Sequence, residues 1–314
     1  MNLPSEADIR AAHRRIERFI HRTPVMTSQQ INGILGCGLW FKCENFQKVG
    51  AFKFRGATNA VMLLDEKQKT NGVVTHSSGN HAAALSLASS MDGITSYIVM
   101  PENAPEVKKK AVAGYGAAIT FCEPTLKARE ETCRHIMEEK GAVLIHPYDN
   151  FNVICGQGTA ALELMEEVED LDIIVAPIGG GGLMSGVSTI AKAIKPGIKV
   201  IGAEPLNAND AWQSLRTGHI VPSINPKTVA DGLLTSLSDL TFSVISRNVD
   251  QILTAREETI IEAMLLVWER MKIIIEPSSA TVVAVIMENP ELFRNMKTGL
   301  IISGGNVDFR RLPF

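Results

Sequence analysis

The sequence predicts an α/β protein built on parallel sheets, and three observations lead to this fold class. Short runs rich in β-branched residues alternate with longer helix-like segments along most of the chain. Glycine clusters stand where predicted strands pass into predicted helices. A length of 314 residues with a hydrophobic share of 45% is enough for two globular domains or one large α/β unit. Strands and helices that alternate in this way form parallel sheets covered by helices.

The first half of the chain contains one leading helix and one strand, followed by a regular alternation. SEADIRAAHRRIERFI predicts a helix, because Ser5 stands near its start and Ile9, Ala12 and Ile16 follow at helical spacing. LWFKCEN predicts a strand. The predicted strands that follow are GVVTHSS, SYIVMP, AAITFCE and AVLIHP, and the predicted helices between them are NHAAALSLASS, APEVKKKAVAGYG and LKAREETCRHIMEEKG.

The second half continues the alternation. GTAALELMEEV and LMSGVSTIAKAI predict helices, whereas DIIVAPIGGGG, KVIGAEP and LIISGGNVDF each contain a predicted strand. Thr254 and Glu257 form a T-x-x-E pattern that predicts a capping box before a broad apolar helix.

Two polar seams, at residues 65–71 and 148–152, predict the domain organisation. We expect a small α/β domain of residues 67–150 inserted in a large cofactor-binding domain of residues 1–66 and 151–314. A cleft between two such domains is a favoured place for a ligand.

Composition excludes several other classes of protein. The net charge of -3 and the lack of a basic block argue against a nucleic-acid partner. No apolar run is long enough to span a membrane, and the polar, acidic start does not resemble a signal peptide. The five cysteines are scattered and form no C-x-x-C pair, which predicts a reducing, cytoplasmic location without disulfides or zinc.

The segment ENFQKVGAFKFRGATNA places Lys53 between Phe52 and Phe54, where an apolar helical run begins. Desolvation lowers the pKa of a lysine and makes its amine nucleophilic toward carbonyl groups. From this segment alone, a lysine that reaches back to water beside a core phenylalanine pair is the simpler interpretation.

Three further loops offer backbone donors or hydroxyl groups at strand ends. In IIVAPIGGGGLMSG four consecutive glycines precede a helix and fit neither the Walker nor the G-x-G-x-x-G pattern, and we predict a phosphate site there. THSSGNHAAA offers donors suited to a carboxylate, although in isolation ordinary helix capping explains it better. LIISGGNVDF alone predicts only a turn. A desolvated lysine, a phosphate loop and a carboxylate loop together indicate a pyridoxal phosphate enzyme that acts on amino acids.

With these motifs, the chain resembles the β-family, or fold-type II, pyridoxal phosphate enzymes, and in particular the serine/threonine dehydratases and serine racemases. The motifs follow the family's order over nearly the whole chain: F-K-x-R-G-A, S-S-G-N-H, a tetraglycine loop after P-I, an E-P segment and a terminal S-G-G-N. The resemblance implies a two-domain, tryptophan synthase β-like fold in which each domain is a mostly parallel sheet flanked by helices.

The resemblance also implies contacts to pyridoxal 5'-phosphate. Lys53 is similar to the lysine that holds the cofactor as a Schiff base. The glycines that resemble the family's phosphate cup are Gly179, Gly180, Gly181 and Gly182.

Four residues resemble those around the cofactor's ring. Phe52 and Gly232 match positions that line the ring, and Asn80 matches the partner of the ring hydroxyl. Ser303 matches the residue that faces the pyridine nitrogen. A hydroxyl there, instead of a carboxylate, implies a largely unprotonated nitrogen and a weaker electron sink, which suits β-elimination.

The S-S-G-N-H loop implies substrate contacts. We expect the substrate carboxylate to be held by Ser77, Ser78, Asn80 and His81. Ser78 resembles the residue that stands opposite the lysine in the racemases, where it serves as the second base. This match is compatible with racemisation but does not require it, because a hydroxyl is a poor base at neutral pH.

A cation site is the last feature that the resemblance implies. Glu204, Asp210 and the backbone carbonyl of Ala208 resemble the divalent-cation site of serine racemases, and oxygen ligands suit Mg²⁺ or Ca²⁺. Spacing alone favours a simpler interpretation, in which Asp210 or Asn209 caps the next helix.

The implied function is a lyase that converts serine or threonine into a 2-oxo acid and ammonia, with serine racemase activity as a second outcome, in a homodimer. A competing function is that of a 3-hydroxyaspartate ammonia-lyase, whose second carboxylate needs cationic or donor groups; the candidates are Arg134, His135, His146 and Tyr148. The motifs leave two more functions open, a non-catalytic amino-acid-binding protein and a β-replacement synthase of the cysteine-making branch.

Overall fold

The chain forms two sheets, one mostly and one wholly parallel, with helices on their faces, and the predicted α/β class is confirmed. A computed structural model describes residues 2–314, apart from the side chain of Val107. The helices of the described residues, numbered α1 to α14 in chain order, are Glu6–Ile16, Gln29–Leu35, Lys53–Val61, Glu66–Asn71, Asn80–Met91, Glu106–Gly114, Leu126–Lys140, Phe151–Glu167, Gly182–Ile194, Asp210–Thr217, Asp239–Asn248, Glu257–Met271, Pro277–Glu288 and Pro290–Phe293.

The strands are numbered β1 to β10 in the same way. They are Val25–Met26, Gly38–Cys43, Val73–His76, Ser96–Pro101, Ala118–Cys122, Val143–Leu144, Ile173–Pro177, Lys199–Pro205, Gln251–Ala255 and Lys297–Ile302. Short 3₁₀ turns occupy Glu44–Phe46, Lys48–Gly50 and Leu206–Ala208.

The larger sheet has the strand order β1-β2-β10-β7-β8-β9. All its neighbours are parallel except β1 and β2. The last strand, β10, therefore lies between β2 and β7, with Leu300 opposite both Phe41 and Val175. This order brings the start of α3, which follows β2, next to the loop that follows β10.

The smaller sheet has the order β5-β4-β3-β6 and is parallel throughout. All its strands lie within the predicted inserted domain. One apolar cluster joins this sheet to residues outside that range, among them Ile16, Phe54 and Val61. Helix α3 packs against both α5, which lies in the predicted small domain, and α8, which lies in the predicted large domain. Packing alone therefore does not place the domain boundaries, and 66/67 and 150/151 stay a prediction.

The predicted capping box at Thr254 and Glu257 is wrong. Thr254 belongs to β9, and α12 begins after Arg256 without a side-chain cap. The Glu257 carboxylate instead accepts hydrogen bonds from the Thr228 hydroxyl at 2.9 Å and the Val229 N–H at 2.8 Å. The Glu257 side chain thus makes a tertiary contact with residues 228 and 229 instead of capping its own helix.

Candidate active site

Lys53 stands at the first position of α3, and a short backbone bridge fixes that position. Ala51 pairs with Gly304 in an isolated antiparallel bridge, and the Phe52 N–H donates to the Ser303 carbonyl at 2.9 Å. The lysine is thereby tied to the end of β10, although more than two hundred residues separate the two segments in sequence.

The Lys53 amine is partly buried beside a neutral carbonyl and an aromatic ring. Its Nζ donates to the Pro147 carbonyl at 2.9 Å and lies 5.1 Å from the centroid of the Phe52 ring. Burial lowers the pKa of Lys53 to about 8, against the opposing influence of the Glu276 carboxylate. A larger fraction of the amine is unprotonated near neutral pH, as attack on a carbonyl carbon requires.

The glycine loop connects β7 to α9 and leaves no room for side chains. A Cβ at Gly180 would lie 2.3 Å from the Tyr148 ring, and one at Gly182 would lie 2.8 Å from the Cβ of Tyr148. Gly181 has a φ of +85°, which L side chains rarely adopt. The loop thus presents bare backbone at the positive end of the α9 dipole, as a phosphate site needs.

The S-S-G-N-H loop joins β3 to the first turn of α5. Ser77, Ser78 and Asn80 are partly buried around this helix start. His81 differs, because its ring is buried and its Nε2 donates to the Ile145 carbonyl at 2.9 Å. Burial lowers the pKa of His81 to about 3, so the ring is neutral. The contact of His81 with a substrate carboxylate stays a prediction with less geometric support than that of Ser77 or Ser78.

The segment E-P-S-S at the start of α13 carries no signal that singles it out in the sequence, yet three of its side chains hold predicted ring-contacting residues. Glu276 accepts from the Asn80 amide at 3.0 and 3.2 Å. Ser278 Oγ accepts from the Gly232 N–H at 3.0 Å. Ser279 Oγ lies 3.0 Å from Ser303 Oγ.

Glu276 is almost fully buried, and burial raises its pKa to about 7. It also accepts from the Asn306 N–H at 3.1 Å, and the Asn306 amide donates to Asn80 Oδ1 at 3.0 Å. These bonds fix which end of the Asn80 amide carries the donor. In the sequence, E-P-S-S indicates only a helix that begins with a proline. Only the tertiary contacts show that its side chains position residues predicted to contact the cofactor's ring.

A group of rings lies beside Lys53. The His146 and Tyr148 rings meet edge to face with centroids 4.6 Å apart, and the His76 ring lies 5.5 Å from His146. Burial lowers the pKa of His146 to about 4, with His76 and Lys53 adding to the effect. Of the predicted second-carboxylate candidates, His146 and Tyr148 flank the acceptor of Lys53, whereas Arg134 and His135 are exposed on α7.

Glu204 and Asp210 form the candidate cation site. Glu204 lies near the end of β8, and its carboxylate accepts hydrogen bonds from the Ala211 N–H at 3.0 Å and the Trp212 N–H at 2.7 Å. Both carboxylates are buried, and burial raises the pKa of Glu204 well above its usual value and that of Asp210 to about 6. Asp210 Oδ2 is buried without a hydrogen-bond partner among the described residues.

The described residues contain no group of three His, Cys, Asp or Glu side chains close enough to hold a metal. The two carboxylates therefore need a backbone ligand such as the Ala208 carbonyl. Two buried carboxylates with an unpartnered oxygen fit a hard cation, which would offset their mutual repulsion.

A lysine, a glycine loop and a strand end that meet between two parallel α/β units define a pyridoxal phosphate enzyme of fold-type II. The family model of the pyridoxal-phosphate dependent enzymes matches residues 16–304, and the chain belongs to this family. Family and fold type predicted from the sequence motifs are thereby confirmed.

Individual relatives are similar over almost their whole length. Serine racemase of Dictyostelium discoideum is 54% identical over 307 residues, which cover 96% of this chain and 94% of the relative. β-Hydroxyaspartate dehydratase of Paracoccus denitrificans is 49% identical over 314 residues, with 100% of both chains covered. The crystal structure of a threonine deaminase from T.th. matches with a TM-score of 0.93 at 41% identity, covering 98% of this chain and 99% of that one.

Within the described residues, no helix is long and apolar enough to cross a membrane. The five cysteines are all buried as free thiols.

Proposed function

We propose that this protein is a pyridoxal phosphate-dependent ammonia-lyase for β-hydroxy amino acids, with serine and threonine as substrates and serine racemisation as a second outcome. The observation that carries the proposal is the desolvated Lys53 amine, which donates a hydrogen bond to the Pro147 carbonyl next to Tyr148, whose ring packs on the glycine loop. The serine racemase and threonine deaminase relatives support the same substrates.

The bound cofactor would supply a carbonyl for the lysine or the substrate amine and a ring that accepts electron density from Cα. Gly179, Gly180, Gly181 and Gly182 would hold its phosphate, and Phe52, Gly232, Asn80 and Ser303 would contact its ring. The glycine loop fits a phosphate, because it presents backbone without side chains at the N-terminus of α9.

Lys53 would act as the base that removes the α-proton, because its lowered pKa places the neutral amine within reach at physiological pH. Loss of the β-hydroxyl as water, followed by hydrolysis, gives a 2-oxo acid and ammonia. Ser77, Ser78 and Asn80 would bind the substrate carboxylate at the N-terminus of α5.

Ser78 would return a proton to the opposite face of Cα, and this step would invert the configuration. A hydroxyl needs help from its neighbours to exchange protons at neutral pH. We therefore expect racemisation to depend on Ser78 more strongly than elimination does.

Incubation with L-serine, followed by a keto-acid assay and chiral separation, tests both outcomes in one sample. Lys53→Ala is expected to abolish pyruvate, D-serine and the visible absorbance of bound cofactor together. Lys48→Ala is the matched control, since the Lys48 ammonium also lies over a phenylalanine, 5.6 Å from the Phe54 centroid. Full turnover by the Lys53 variant would refute the proposal.

A 3-hydroxyaspartate ammonia-lyase is the second candidate, and the rings of His76, His146 and Tyr148 beside Lys53 favour it. Ring N–H and phenol O–H groups are donors for a second carboxylate. The relative from Paracoccus denitrificans, a β-hydroxyaspartate dehydratase, supports this candidate.

Side-by-side assays of pyruvate, 2-oxobutyrate and oxaloacetate release discriminate between the two candidates. If this candidate is correct, Tyr148→Phe raises KM for 3-hydroxyaspartate and leaves KM for serine within about twofold. Release of oxaloacetate alone would replace the first candidate with the second.

We also propose that Glu204, Asp210 and the Ala208 carbonyl bind Mg²⁺ or Ca²⁺ in a structural or activating role. Support comes from the unpartnered buried oxygen of Asp210 and the raised pKa values of both carboxylates. Added Ca²⁺ or Mg²⁺ is expected to raise the melting temperature, and Asp210→Asn removes this response. An equal shift for the variant would refute the site.

A homodimeric, cytoplasmic enzyme with no nucleic-acid or membrane partner completes the proposal. The buried free thiols suit a reducing compartment, and the small net charge of -3 suits a small-molecule substrate. Light scattering coupled to size-exclusion chromatography measures the oligomer directly, and a mass of 34.1 kDa would show a monomer instead.

A further inference from the structure

We propose that His81 is a positioning residue: its ring N–H holds the segment that follows β6, so that the Pro147 carbonyl is placed to accept a hydrogen bond from Lys53. The inference rests on the proposed function, which makes Lys53 the reactive amine. It goes further by giving the ring of His81 a role other than contact with the substrate carboxylate.

Counting protons explains why the His81 ring does not donate to a carboxylate. Burial keeps the ring neutral, with Lys53, His146 and His76 adding to the effect, so the ring carries one proton. The Ile145 carbonyl can only accept, and it lies 2.9 Å from Nε2, so that proton is on Nε2. Nδ1 keeps a bare lone pair, which repels a carboxylate. At His81, the backbone N–H in the first turn of α5 remains for that contact.

The other ring nitrogen of His81 indicates that the Nε2 bond is what the histidine contributes. The residue is 2% exposed, and Nδ1 is buried without a hydrogen-bond partner among the described residues. A buried acceptor without a partner costs stability. A hydrocarbon ring of similar size would fill the same space without this cost, so the bond to Ile145 is what distinguishes histidine from an apolar residue here.

The segment beyond β6 carries the acceptor of Lys53 two residues after Ile145. The Ile145 N–H donates to the Val74 carbonyl at 2.9 Å, which continues the pairing of β6 with β3. Pro147 has no N–H to anchor it, and its carbonyl accepts from Lys53 Nζ at 2.9 Å. The His81 bond therefore ties the backbone just before this acceptor to helix α5.

This bond joins two parts of the candidate site. His81 follows Asn80, a predicted ring contact, and lies three residues after Ser78, a predicted carboxylate contact. The first turn of α5 therefore sets the position of the substrate loop and, through Ile145, that of the acceptor of the reactive lysine.

Loss of the His81 bond has a measurable consequence for Lys53. A hydrogen bond from an ammonium to a carbonyl favours the charged form of the amine. Without the His81 bond, the Pro147 carbonyl can turn away, and the Lys53 ammonium loses this support while its burial remains. The other ionisable groups that act with Lys53 are Glu276 and His146, and the variants below leave both in place.

The test measures the pH dependence of Lys53 acetylation in the apoenzyme, by mass spectrometry of its peptide. His81→Phe keeps a ring of similar size but removes the N–H, and we expect the midpoint to fall by about one pH unit. His81→Gln places an amide N–H near the position of Nε2 and should restore most of the native midpoint. An unchanged midpoint in His81→Phe, or a fall that His81→Gln does not reverse, overturns the inference.

Two controls separate positioning from general damage. His219→Phe is the matched control, since His219 Nδ1 lies 3.2 Å from the Thr217 carbonyl in an exposed loop after α10. This variant should keep the native midpoint, and an equal fall there overturns the inference. If His81→Phe does not fold, His81→Asn takes its place, because its amide is one methylene shorter than that of glutamine. Equal midpoints in His81→Asn and His81→Gln then overturn the inference.

The apoenzyme experiment also separates this inference from the proposed function. Acetylation needs no cofactor, so a lowered midpoint in His81→Phe supports the role of His81 even if Lys53→Ala leaves turnover intact. An unmoved midpoint refutes only the role of His81, and the assignment of Lys53 is then judged by the turnover assay alone.

Discussion

The ammonium of Lys53 lies where its direct hydrogen-bond acceptor is a neutral carbonyl, that of Pro147. The Glu276 carboxylate favours the charged amine, but desolvation is the larger influence and lowers the pKa to about 8. The pKa of Glu276 is itself raised to about 7 by burial, so this carboxylate loses part of its charge near neutral pH. Because the opposing influence of this carboxylate is weaker than desolvation, the amine is more available for reaction than an ordinary lysine.

We predict that Lys53 of the apoenzyme reacts with acetic anhydride with a midpoint near pH 8, measured by mass spectrometry of its peptide. In urea the same lysine should react with a midpoint near its ordinary value of 10.5. Between these values the unfolded chain holds more protons on Lys53, so its contribution to stability rises with pH across that window. Equal midpoints in both states would contradict this prediction.

Sequence reasoning identifies residues at this scale when the chemistry lies in one short motif. Lys53 and the glycine loop stand out because their residue types are unusual in their local context. Glu276 and Ser279 escape sequence reasoning because each acts through a residue far away in sequence, Asn80 or Ser303. His76 escapes it in the same way, since only folding brings it near His146.

Helix α3, which begins with Lys53, is anchored by a buried network of four charged side chains. Arg55 bonds Glu44 at 2.7 Å and Glu163 at 2.7 Å, and Lys42 bonds Glu163 at 2.6 Å. All four are essentially inaccessible to solvent. Two cations and two anions balance within the core, and the network links β2, α3 and α8.

Replacing Arg55 by methionine would leave Glu44 without its guanidinium partner and Glu163 with only Lys42. We expect Arg55→Met to lower the free energy of unfolding by about 3–5 kcal/mol, as for other broken buried ion pairs. Arg22→Met is the control, because the Arg22–Glu166 pair is half-exposed and should contribute less than about 1 kcal/mol. Urea denaturation of both apo variants measures the difference, and equal losses would contradict it.

The glycine loop between β7 and α9 packs too closely against Tyr148 to accept a larger residue at Gly180. A Cβ at Gly180 would overlap the Tyr148 ring, whereas a Cβ at Gly197 meets nothing within 4 Å. We expect Gly180→Ala to weaken cofactor binding about ten- to a hundredfold, since overpacking costs about 1–3 kcal/mol. Gly197→Ala should bind normally in the same equilibrium titration. Unchanged affinity in Gly180→Ala would contradict the close packing of Tyr148.

At the scale of the whole molecule, a cleft of about 670 Å³ is lined by residues from both α/β units. Its lining includes Asn80 and Tyr115 on one side and Pro277 and Asn306 on the other. Lys108 on α6 reaches across to Asp231 at 2.6 Å. The neighbouring residue Gly232 is a predicted ring contact, so this ion pair connects the two walls close to the site.

We predict that Lys108→Ala changes the free energy of unfolding by less than about 1 kcal/mol, because the pair is partly exposed. The radius of gyration measured by X-ray scattering should nevertheless increase when the two walls lose their connection. Lys109→Ala is the matched control, since its partner Glu106 lies on the same helix. The same radius for both variants would show that the ion pair does not hold the cleft.

The alternation of strands and helices is enough to predict the fold class, because each buried strand carries its own apolar run. The strand order could not be predicted from the sequence, because nothing in the residues of β10 indicates that its neighbours are β2 and β7. The T-x-x-E pattern misleads for a related reason, because a tertiary partner near Thr228 outweighs a local cap.

The position of β10 also has a consequence for biosynthesis. The ribosome delivers β2 early and β7 near the middle, yet the gap between these two strands is filled only by residues 297–302. The serine and the lysine of the site cannot meet before residues 297–302 have left the exit tunnel. A nascent chain stalled ahead of it would carry two unpaired, apolar strand edges, which makes it a candidate for chaperone capture and leaves it unable to retain vitamin B6.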